Sequence, residues 1–353
     1  MKVAPILDAL ECMGHARIFV HTGQHYDASM SDAFFRDLGL PIPDRHLGVG
    51  SGSHARQTAR VMEAIEPVLE ETRPDWLVVV GDVNSTLACA LAAAKLRPTI
   101  GCRIAHVEAG LRSNDWAMPE EVNRVLTDRL SDLLLTPSHD AEPNLLREGI
   151  APECIVFVGN VMIDSLLRML PHAQALELPR RMGVEAGRYV VATLHRPSNV
   201  DHRERLEVIL TAFGQVAREF PILLPLHPRT RERVQSFGLG HLLAPLRVME
   251  PIGYTEMLGL QASAATALTD SGGIQEETTV LGVPCVTLRE STERPVTVTE
   301  GTNRMAPWPL TVDGIVQAAR AALAQGRVPV GARAPEGWDG RAGERIVSAL
   351  ARA

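Results

Sequence analysis

The residues best suited to chemistry in this chain lie in the run from Thr269 to Glu277, which follows an apolar stretch and opens into a predicted helix. Paired glycines at a strand-to-helix junction let backbone amides approach an anion, and the helix start adds partial positive charge. Ser271 can contribute a hydroxyl group, while the carboxylates of Glu276 and Glu277, one turn deeper, could bind sugar hydroxyls. The run therefore predicts a site for a nucleotide diphosphate attached to a sugar. The alternative is an ordinary capped helix after a glycine turn.

Carboxylates follow two predicted strands in the first half of the chain. Asp82 and Glu108 each come shortly after an apolar run, and open α/β sheets bind ligands at the carboxyl ends of their strands. Glu120 and Glu121 stand on the first turn of a later predicted helix. Two or three carboxylates that converge near one sugar carbon could divide the acid and base roles, because mutual repulsion raises a pKa toward neutrality. The structural alternatives are a helix cap at Asp82 and a favourable helix dipole, or an arginine pair, for the two glutamates.

Two predicted strands in the second half end in a histidine with an arginine close behind it. The first pair is His195 and Arg196, and the second is His227 and Arg229. A histidine and an arginine at a strand end could bind phosphate and stabilise a departing diphosphate. One histidine alone would more often be a hydrogen-bonded structural residue, but two such strand ends near the glycine run favour an anion site.

A further polar segment follows the predicted strand 285–288. Arg294 can bind phosphate through two parallel hydrogen bonds, and Thr302 and Asn303 can bind hydroxyl groups. The alternative is a solvated charged loop. Taken alone, this segment leaves both explanations open.

The elements that must position these residues alternate between short apolar runs and amphipathic stretches, which is typical of βαβ units and parallel sheets. We predict the fold class as α/β, with two Rossmann-like domains facing a cleft. The break falls between Met169 and Arg188, where prolines and glycines interrupt the pattern. We expect residues 1–170 and the C-terminal helix 340–353 to form the domain with the carboxylates. Residues 171–339 would then form the diphosphate-binding domain.

The start of the chain departs from this scheme. A doubly wound domain normally begins with a buried strand, whose following loop contacts the ligand. This chain begins directly in a predicted helix, Lys2–Met13. We therefore expect the first strand of the N-terminal domain and its loop to be missing.

Composition excludes several classes of protein. The chain is 45% hydrophobic and 22% charged, as in soluble globular proteins, and its net charge is −7. Lysine occurs only at positions 2 and 95, so no basic tract for nucleic acid exists. No apolar run approaches the roughly 18 residues of a membrane span. The five cysteines share no metal-ligand spacing. We expect a cytoplasmic protein with no nucleic-acid or membrane partner.

Eight ordered motifs carry a resemblance to a known family: TGQHYD, GDVNSTLA, HVEAGLRS, MPEEVNR, VGNVMID, TLHRPSNVD, TDSGGIQEE and LRESTERP. Together they span nearly the whole chain and resemble the non-hydrolysing UDP-N-acetylglucosamine 2-epimerases, which have the GT-B glycosyltransferase-like fold. The resemblance implies reversible conversion of UDP-GlcNAc to UDP-ManNAc, with no metal or nicotinamide cofactor. UDP would be eliminated to give a 2-acetamidoglucal and then added back with the opposite configuration at C2. It also implies a homodimer.

The resemblance assigns roles to individual residues. Asp82, Glu108 and Glu120 correspond to the acid/base carboxylates, and His195 to the histidine that assists departure and return of UDP. The implied substrate and UDP contacts are Lys2, Arg124, Met257, Ser271, Gly272, Gly273, Glu277 and Arg294. A regulatory substrate site of some bacterial members corresponds in part to Gln24, His25 and Arg60.

Three alternative functions stay open. Family members usually carry G-T-R-P-E before the segment that matches Lys2–Pro5, and an arginine there contacts the nucleotide. Only Lys2 of that region is present here, so the chain could be a nucleotide-sugar binder without activity. A hydrolysing relative would instead release UDP and free ManNAc. Finally, segments 23–35, 48–54 and 118–128 also resemble epimerases of UDP-linked diacetamido uronic acids.

Overall fold

The computed structural model describes residues 1–24 and 39–353. Its contacts divide the chain into two compact units. The first unit comprises Met1–Ser165 and Glu336–Ala353, and the second comprises Leu166–Pro335. Each unit alternates strands and helices around parallel sheets. Among the described residues, no helix is long and apolar enough to cross a membrane.

The first unit is built on a four-stranded parallel sheet and a parallel two-stranded pair. The pair consists of β1 (Val20–His21) and β2 (Arg45–His46). The sheet, in spatial order, consists of β3 (Trp76–Val80), β4 (Arg103–Val107), β5 (Leu133–Thr136) and β6 (Ile155–Phe157). The helices are α1 (Ala4–Cys12), α2 (His54–Thr72), α3 (Asn84–Ile100), α4 (Pro119–Leu130) and α5 (Glu142–Arg147), and α6 (Val161–Ala175) runs on past Ser165.

Helices α2 and α3 cover one side of this sheet because their apolar residues recur at helical spacing. Val61, Ile65 and Leu69 lie four residues apart on α2 and are buried. Helix α3 faces α2 with small buried side chains, including Ala88 and Ala92, which allow the two helices to approach closely. This packing fixes the start of α3, and therefore the loop between β3 and α3, where Asp82 lies.

The second unit contains a six-stranded parallel sheet. Its strands in chain order are β7 (Val190–Thr193), β8 (Ile222–Pro225), β9 (Arg247–Met249), β10 (Thr266–Thr269), β11 (Cys285–Thr287) and β12 (Asn303–Met305). In space they run β12-β11-β10-β7-β8-β9, so the order reverses between β7 and β10. Open parallel sheets bind ligands at the carboxyl ends of the strands beside such a reversal. The residues that follow β7 and β10 therefore occupy the expected ligand position of this unit.

The helices of the second unit carry its core and its loops. They are α7 (Leu178–Arg181), α8 (Pro197–Val200), α9 (Arg203–Val216), α10 (Pro228–Ser236), α11 (Tyr254–Ser263), α12 (Gly272–Leu281), α13 (Val296–Thr299) and α14 (Val312–Gln325). The largest core cluster packs α9 and α14 against the sheet, with Leu206, Phe213 and Ile315 fully buried. This packing holds the sheet, and therefore the loops at the ends of its strands, in place.

The last helix, α15 (Ala342–Arg352), packs on α1 in the first unit. The Asp164 carboxylate accepts the backbone N–H groups of Ala342 at 3.1 Å and Gly343 at 2.8 Å, which satisfies two donors at the helix start. A Cβ at position 343 would lie 2.6 Å from the Pro5 carbonyl oxygen, so the contact with α1 requires glycine. The chain thus returns to the first unit after completing the second.

Candidate active site

Asp82 lies at the carboxyl end of β3, just beyond a tight turn. Gly81 makes that turn with φ 70° and donates its N–H to the Val107 carbonyl oxygen at 3.0 Å. Arg124 donates to the Asp82 carboxylate, and the Asn123 side chain donates to the Asp82 carbonyl oxygen at 2.9 Å. Two residues of α4 therefore hold both the backbone and the side chain of Asp82.

Glu108 lies at the end of β4 in a strained conformation. Its φ of 73° is in the left-handed region, which costs a non-glycine residue about 1–3 kcal/mol. The N–H groups of Glu108 and Ala109 both donate to the Leu135 carbonyl oxygen, at 3.0 and 3.1 Å. Lys2 forms an ion pair with the Glu108 carboxylate. Strain of this kind is retained where the surrounding structure fixes a functional side chain.

Arg124 is buried and bridges two carboxylates. It binds Asp82 through one nitrogen and the Glu121 carboxylate through the other, at 2.6 Å. Glu121 also accepts the N–H groups of Ser113 at 3.0 Å and Asn114 at 2.8 Å. Burial raises the pKa of Glu121, but these donors and Arg124 outweigh burial, so the pKa lies below its ordinary value. Glu121 is therefore an ionised residue that holds the loop before α4.

Glu120 differs from Glu121 although the two are adjacent. It is half-buried in the first turn of α4. No hydrogen bond or ion pair observed within residues 1–24 and 39–353 uses its side chain. The structural role that the sequence allowed for both glutamates thus falls to Glu121, and the Glu120 carboxylate is accessible to a ligand.

In the second unit, His195 and Asp270 meet at the reversal of the strand order. Nδ1 of His195 lies 3.1 Å from Oδ1 of the fully buried Asp270. Asp270 also accepts the Arg196 N–H at 2.9 Å and the Asn199 side-chain N–H at 3.2 Å. Burial raises the pKa of Asp270, but these donors outweigh burial and hold the pKa below its ordinary value. Because the carboxylate accepts from Nδ1, Nε2 of His195 is left to face a ligand.

The glycine run begins helix α12 beside this pair. The Ser271 N–H donates to the Thr269 hydroxyl at 2.9 Å, while the Ser271 hydroxyl does not cap the helix. Gly272 and Gly273 are the first two residues of α12. The first N–H groups of a helix have no partner within it, and they attract anions together with the helix dipole. Ser271, Gly272 and Gly273 thus form a suitable diphosphate-binding segment.

Glu277 lies one turn further along α12 and is buried beside two other polar side chains. Burial raises its pKa from the ordinary value of 4.5 to about 7, although the nearby Gln261 amide and Tyr254 hydroxyl lower it. Among the described residues, neither the Gln261 amide nor the Tyr254 hydroxyl has a hydrogen-bond partner. A buried carboxyl group beside such unsatisfied polar groups can bind the hydroxyl groups of a ligand.

The segment after β11 is held inside the protein. Arg294 is buried and donates through Nε to the Glu276 carboxylate at 2.7 Å. The Thr302 hydroxyl donates to the Val283 carbonyl oxygen at 2.8 Å, and the Asn303 amide donates to Gln275 at 3.1 Å. The solvated loop considered from the sequence is therefore wrong. Arg294 and Asn303 thus bind side chains in the first half of α12, and Thr302 binds the backbone just after its end.

A family model for UDP-N-acetylglucosamine 2-epimerases matches residues 11–351. The chain belongs to this family. It is 44% identical over 311 residues to the UDP-N-acetylglucosamine 2-epimerase of Methanocaldococcus jannaschii, covering 86% of this chain and 84% of that protein. It is also 44% identical over 311 residues to the UDP-2,3-diacetamido-2,3-dideoxy-D-glucuronate 2-epimerase of Pseudomonas aeruginosa, covering 87% and 84%.

A crystal structure of the M. jannaschii epimerase in complex with UDP-GlcNAc and UDP matches this fold with a TM-score of 0.88. The two are 41% identical, and the match covers 100% of this chain and 96% of the other. The comparison confirms the predicted α/β, GT-B-like fold class.

The epimerase resemblance also singled out Met257, Gln24, Arg60 and His25. Met257 is half-buried on α11, the helix that also carries Tyr254 and Gln261. The Gln24 side chain accepts the Ser85 N–H at 3.0 Å at the start of α3. Arg60 is exposed on α2. His25 lies outside the described residues.

Sequence reasoning missed Asp270 as the partner of His195. The signal was present, because Asp270 stands between a buried strand and the glycine run. A carboxylate at that position can accept hydrogen bonds from the loop that follows the adjacent strand, here β7. Chain order alone does not reveal that β10 neighbours β7.

Proposed function

We propose that this chain catalyses the reversible C2 epimerisation of UDP-N-acetylglucosamine to UDP-N-acetylmannosamine. The observation that carries the proposal is the likeness to the M. jannaschii epimerase, whose crystal structure contains UDP-GlcNAc and UDP. The reaction removes the C2 proton and breaks the C1–O bond, so that the electron pair leaves with UDP. A C1=C2 double bond forms, and re-addition of UDP and a proton completes the inversion.

The first unit supplies groups for proton transfer. Inversion at C2 requires that the proton return to the face opposite the one it left, so at least two acid/base groups serve the carbon. Asp82, Glu108 and Glu120 are the carboxylates available for these steps. Arg124 orients Asp82, and Lys2 pairs with Glu108. These contacts support the assignment of proton transfer to this unit.

The second unit supplies groups for the leaving diphosphate. The amides of Gly272 and Gly273 at the start of α12 can bind the phosphates and stabilise the charge that develops as the C1–O bond breaks. With Nδ1 directed at Asp270, a doubly protonated His195 can donate a hydrogen bond through Nε2 to the diphosphate. Glu277 is suited to bind the ribose hydroxyls. The geometry of these groups supports UDP as the leaving group.

A UDP-linked diacetamido uronic acid is the second candidate substrate. The P. aeruginosa enzyme named for it is as similar to this chain, at 44% identity, as the M. jannaschii epimerase. The two sugars differ at C3 and C6 but share the acetamido group at C2. Turnover of both UDP-sugars under identical conditions decides between them. A much higher kcat/KM for the UDP-linked uronic acid would identify it, rather than UDP-GlcNAc, as the substrate.

Incubation with UDP-GlcNAc in deuterated water tests the reaction itself. We expect UDP-ManNAc to form with deuterium at C2 while UDP stays attached at equilibrium. Free UDP and free ManNAc would identify a hydrolysing relative instead. Binding of UDP-GlcNAc without exchange at C2 would identify a nucleotide-sugar binder. A Glu108→Gln variant is the matched control, because it keeps the side-chain size and removes an acid/base group.

We also propose that the enzyme is a homodimer of the cytoplasm. All five cysteines are free thiols, which fits a reducing compartment. The dimer rests on the family resemblance alone. Light scattering on the purified chain measures its mass directly, and a mass of one chain at micromolar concentration would contradict the dimer.

A further inference from the structure

His106, the last residue but one of β4, is fully buried and uses both of its ring nitrogens. Nδ1 lies 2.6 Å from Oδ1 of Asp128, and Nε2 lies 2.8 Å from the Gly81 carbonyl oxygen. A carbonyl oxygen can only accept, so Nε2 carries a proton. A neutral imidazole has one N–H, so a second proton on Nδ1 makes the ring an imidazolium.

The charge on Asp128 supports this protonation state. Oδ2 of Asp128 accepts the Gly110 N–H at 3.1 Å and pairs with Nη1 of Arg112 at 2.7 Å. Burial raises the pKa of Asp128, but His106 and Arg112 outweigh burial and hold it below its ordinary value. Burial likewise lowers the pKa of His106, but Asp128 outweighs it, so that pKa lies above its ordinary value. Both shifts favour an ionised carboxylate and a ring that is protonated on both nitrogens.

The charges of this cluster balance within the protein. Arg112 binds the Glu148 carboxylate through two nitrogens, at 2.8 and 2.7 Å. The four side chains thus alternate in sign from His106 through Asp128 and Arg112 to Glu148. His106, Asp128 and Arg112 are buried, whereas Glu148 is exposed. Burying the first three charges costs desolvation free energy, and apolar replacements are often as stable. The cluster is therefore better explained by the positions it gives to neighbouring residues than by a gain in stability.

The cluster brackets the two strand ends that carry carboxylates. The His106 ring binds the carbonyl oxygen of Gly81, the residue directly before Asp82. Glu108 lies two residues after His106 and two before Gly110, and both of those residues bind Asp128. Gly110 has no room for a side chain, because a Cβ there would lie 2.7 Å from the Ala141 carbonyl oxygen. The strained Glu108 backbone is thus fixed on both sides.

We propose that His106 and Asp128 form a positioning pair that holds Asp82 and Glu108 in the geometry required for proton transfer. The inference rests on the proposed function, in which those two carboxylates serve C2. His106 and Asp128 are fully buried and do not reach the substrate themselves. Their effect passes through the backbone of the loops after β3 and β4.

The protonation state of His106 is tested first, by ¹⁵N NMR of the ligand-free wild-type protein. His106→Gln identifies the ring signals by their disappearance. We expect both ring nitrogens to carry protons at about pH 7. A neutral ring at that pH would overturn the proposal. This measurement needs no substrate, so it stands even where the proposed function fails.

The kinetic test uses His106→Gln and Asp128→Asn. In the wild type, two carboxylate oxygens of Asp128 accept from three donors, on His106, Gly110 and Arg112. Asp128→Asn leaves one amide oxygen as the acceptor for all three. A displacement of the reacting groups by about 1 Å can cost about 100-fold in rate. We therefore expect kcat to fall roughly ten- to hundredfold in each variant, with KM and the Kd for UDP within about twofold of wild type. Wild-type kcat in Asp128→Asn would overturn the proposal.

Asp132→Asn is the matched control. Asp132 accepts the Ile104 N–H at 2.8 Å at the opposite end of β4 and pairs with Arg97 at 2.6 Å. Its loss removes a similar set of contacts from the same strand but far from Glu108. We expect wild-type kcat, even if Tm falls. An equal kcat loss in this control would show a general effect of destabilisation and overturn the proposal.

The double variant distinguishes a pair from two separate contributions. If His106 and Asp128 act as one unit, His106→Gln in the Asp128→Asn background lowers kcat no further. Additive losses would overturn the pair. If wild-type protein does not exchange hydrogen at C2, the proposed function fails, and the NMR result alone then decides whether the buried imidazolium exists.

Discussion

Nδ1 of His195 lies 3.1 Å from Oδ1 of Asp270, at the point where the strand order of the second sheet reverses. The two residues are far apart in the chain and meet because β7 and β10 are adjacent, with Thr193 paired to Thr269 in the register. Since Asp270 accepts the Nδ1 proton, it selects the ring orientation and presents Nε2 to the ligand. The orientation of the ring that we propose assists the departing diphosphate is therefore set by Asp270, a buried residue.

Asp270→Asn tests that relationship. The introduced amide group can offer an N–H to Nδ1 and so favours the wrong tautomer of His195. General acid/base catalysis contributes about 10²- to 10⁴-fold, so we expect kcat to fall by at least about 100-fold. Steady-state kinetics with UDP-GlcNAc measures it. Asp201→Asn is the control, because Asp201 pairs with Arg229 and Arg233 nearby on the surface. A kcat loss below tenfold contradicts the role of Asp270.

Arg124→Lys tests the bridge between Asp82 and Glu121. The guanidinium binds both carboxylates at once, whereas a lysine ammonium is a point charge that does not reproduce the fork. We expect kcat to fall more than about tenfold and the loop around Ser113 to lose protection in hydrogen exchange. Arg129→Lys, on the exposed face of the same helix, should leave both unchanged. The prediction fails if exchange near Ser113 matches wild type.

Glu277→Gln should alter stability in a pH-dependent way. The pKa of Glu277 is about 7 in the folded state and 4.5 ordinarily. Between pH 4.5 and 7, the folded state therefore keeps a proton on Glu277 that the unfolded state has lost. This contribution to stability is fully present below pH 4.5 and is lost as the pH rises through 7. The variant, which cannot ionise, should gain up to about 3 kcal/mol over wild type near pH 8. Near pH 4.5 that gain should vanish.

Denaturant unfolding at both pH values measures this difference. Glu300→Gln is a suitable control, because Glu300 is exposed at the end of α13. An equal stability difference at both pH values would show that Glu277 does not titrate with a raised pKa.

Binding of UDP should release protons if Glu277 binds the ribose. Hydroxyl groups that donate to the carboxylate favour its ionised form, so the pKa of Glu277 falls from about 7 on binding. Near pH 6 the release should approach one proton per UDP, and it should be absent in Glu277→Gln. Calorimetry in two buffers of different ionisation enthalpy measures it. Equal release by the variant would assign the proton to another group.

The strands were predictable because parallel strands buried on both faces are continuous apolar runs. Segments such as Leu133–Thr136 and Ile222–Pro225 are fully buried strands of this kind. In the stretch 16–21, only Val20 and His21 form a strand, because only those two residues pair with β2. Asp82 and His195 each lie two residues past the end of a strand, so both could be assigned from sequence to the carboxyl ends of strands.

The partners of these side chains were not predictable in the same way. Which loop Asp270 or His106 contacts depends on strand order and register, and local propensity encodes neither. The positive φ of Glu108 was also invisible, since glycine is the usual residue in that conformation. Arg294 was assigned to phosphate, yet its buried partner is Glu276, one turn into α12. Its role toward UDP stays a prediction.

Helix α15 has a practical consequence for dissecting the enzyme. Because Asp164 anchors Ala342 and Gly343, the carboxylate-bearing unit is assembled from both termini of the polypeptide. No single contiguous gene fragment encodes it, whereas residues 166–335 form an uninterrupted insert. Deleting the last dozen residues would therefore damage the first unit, although these residues follow the second unit in the sequence.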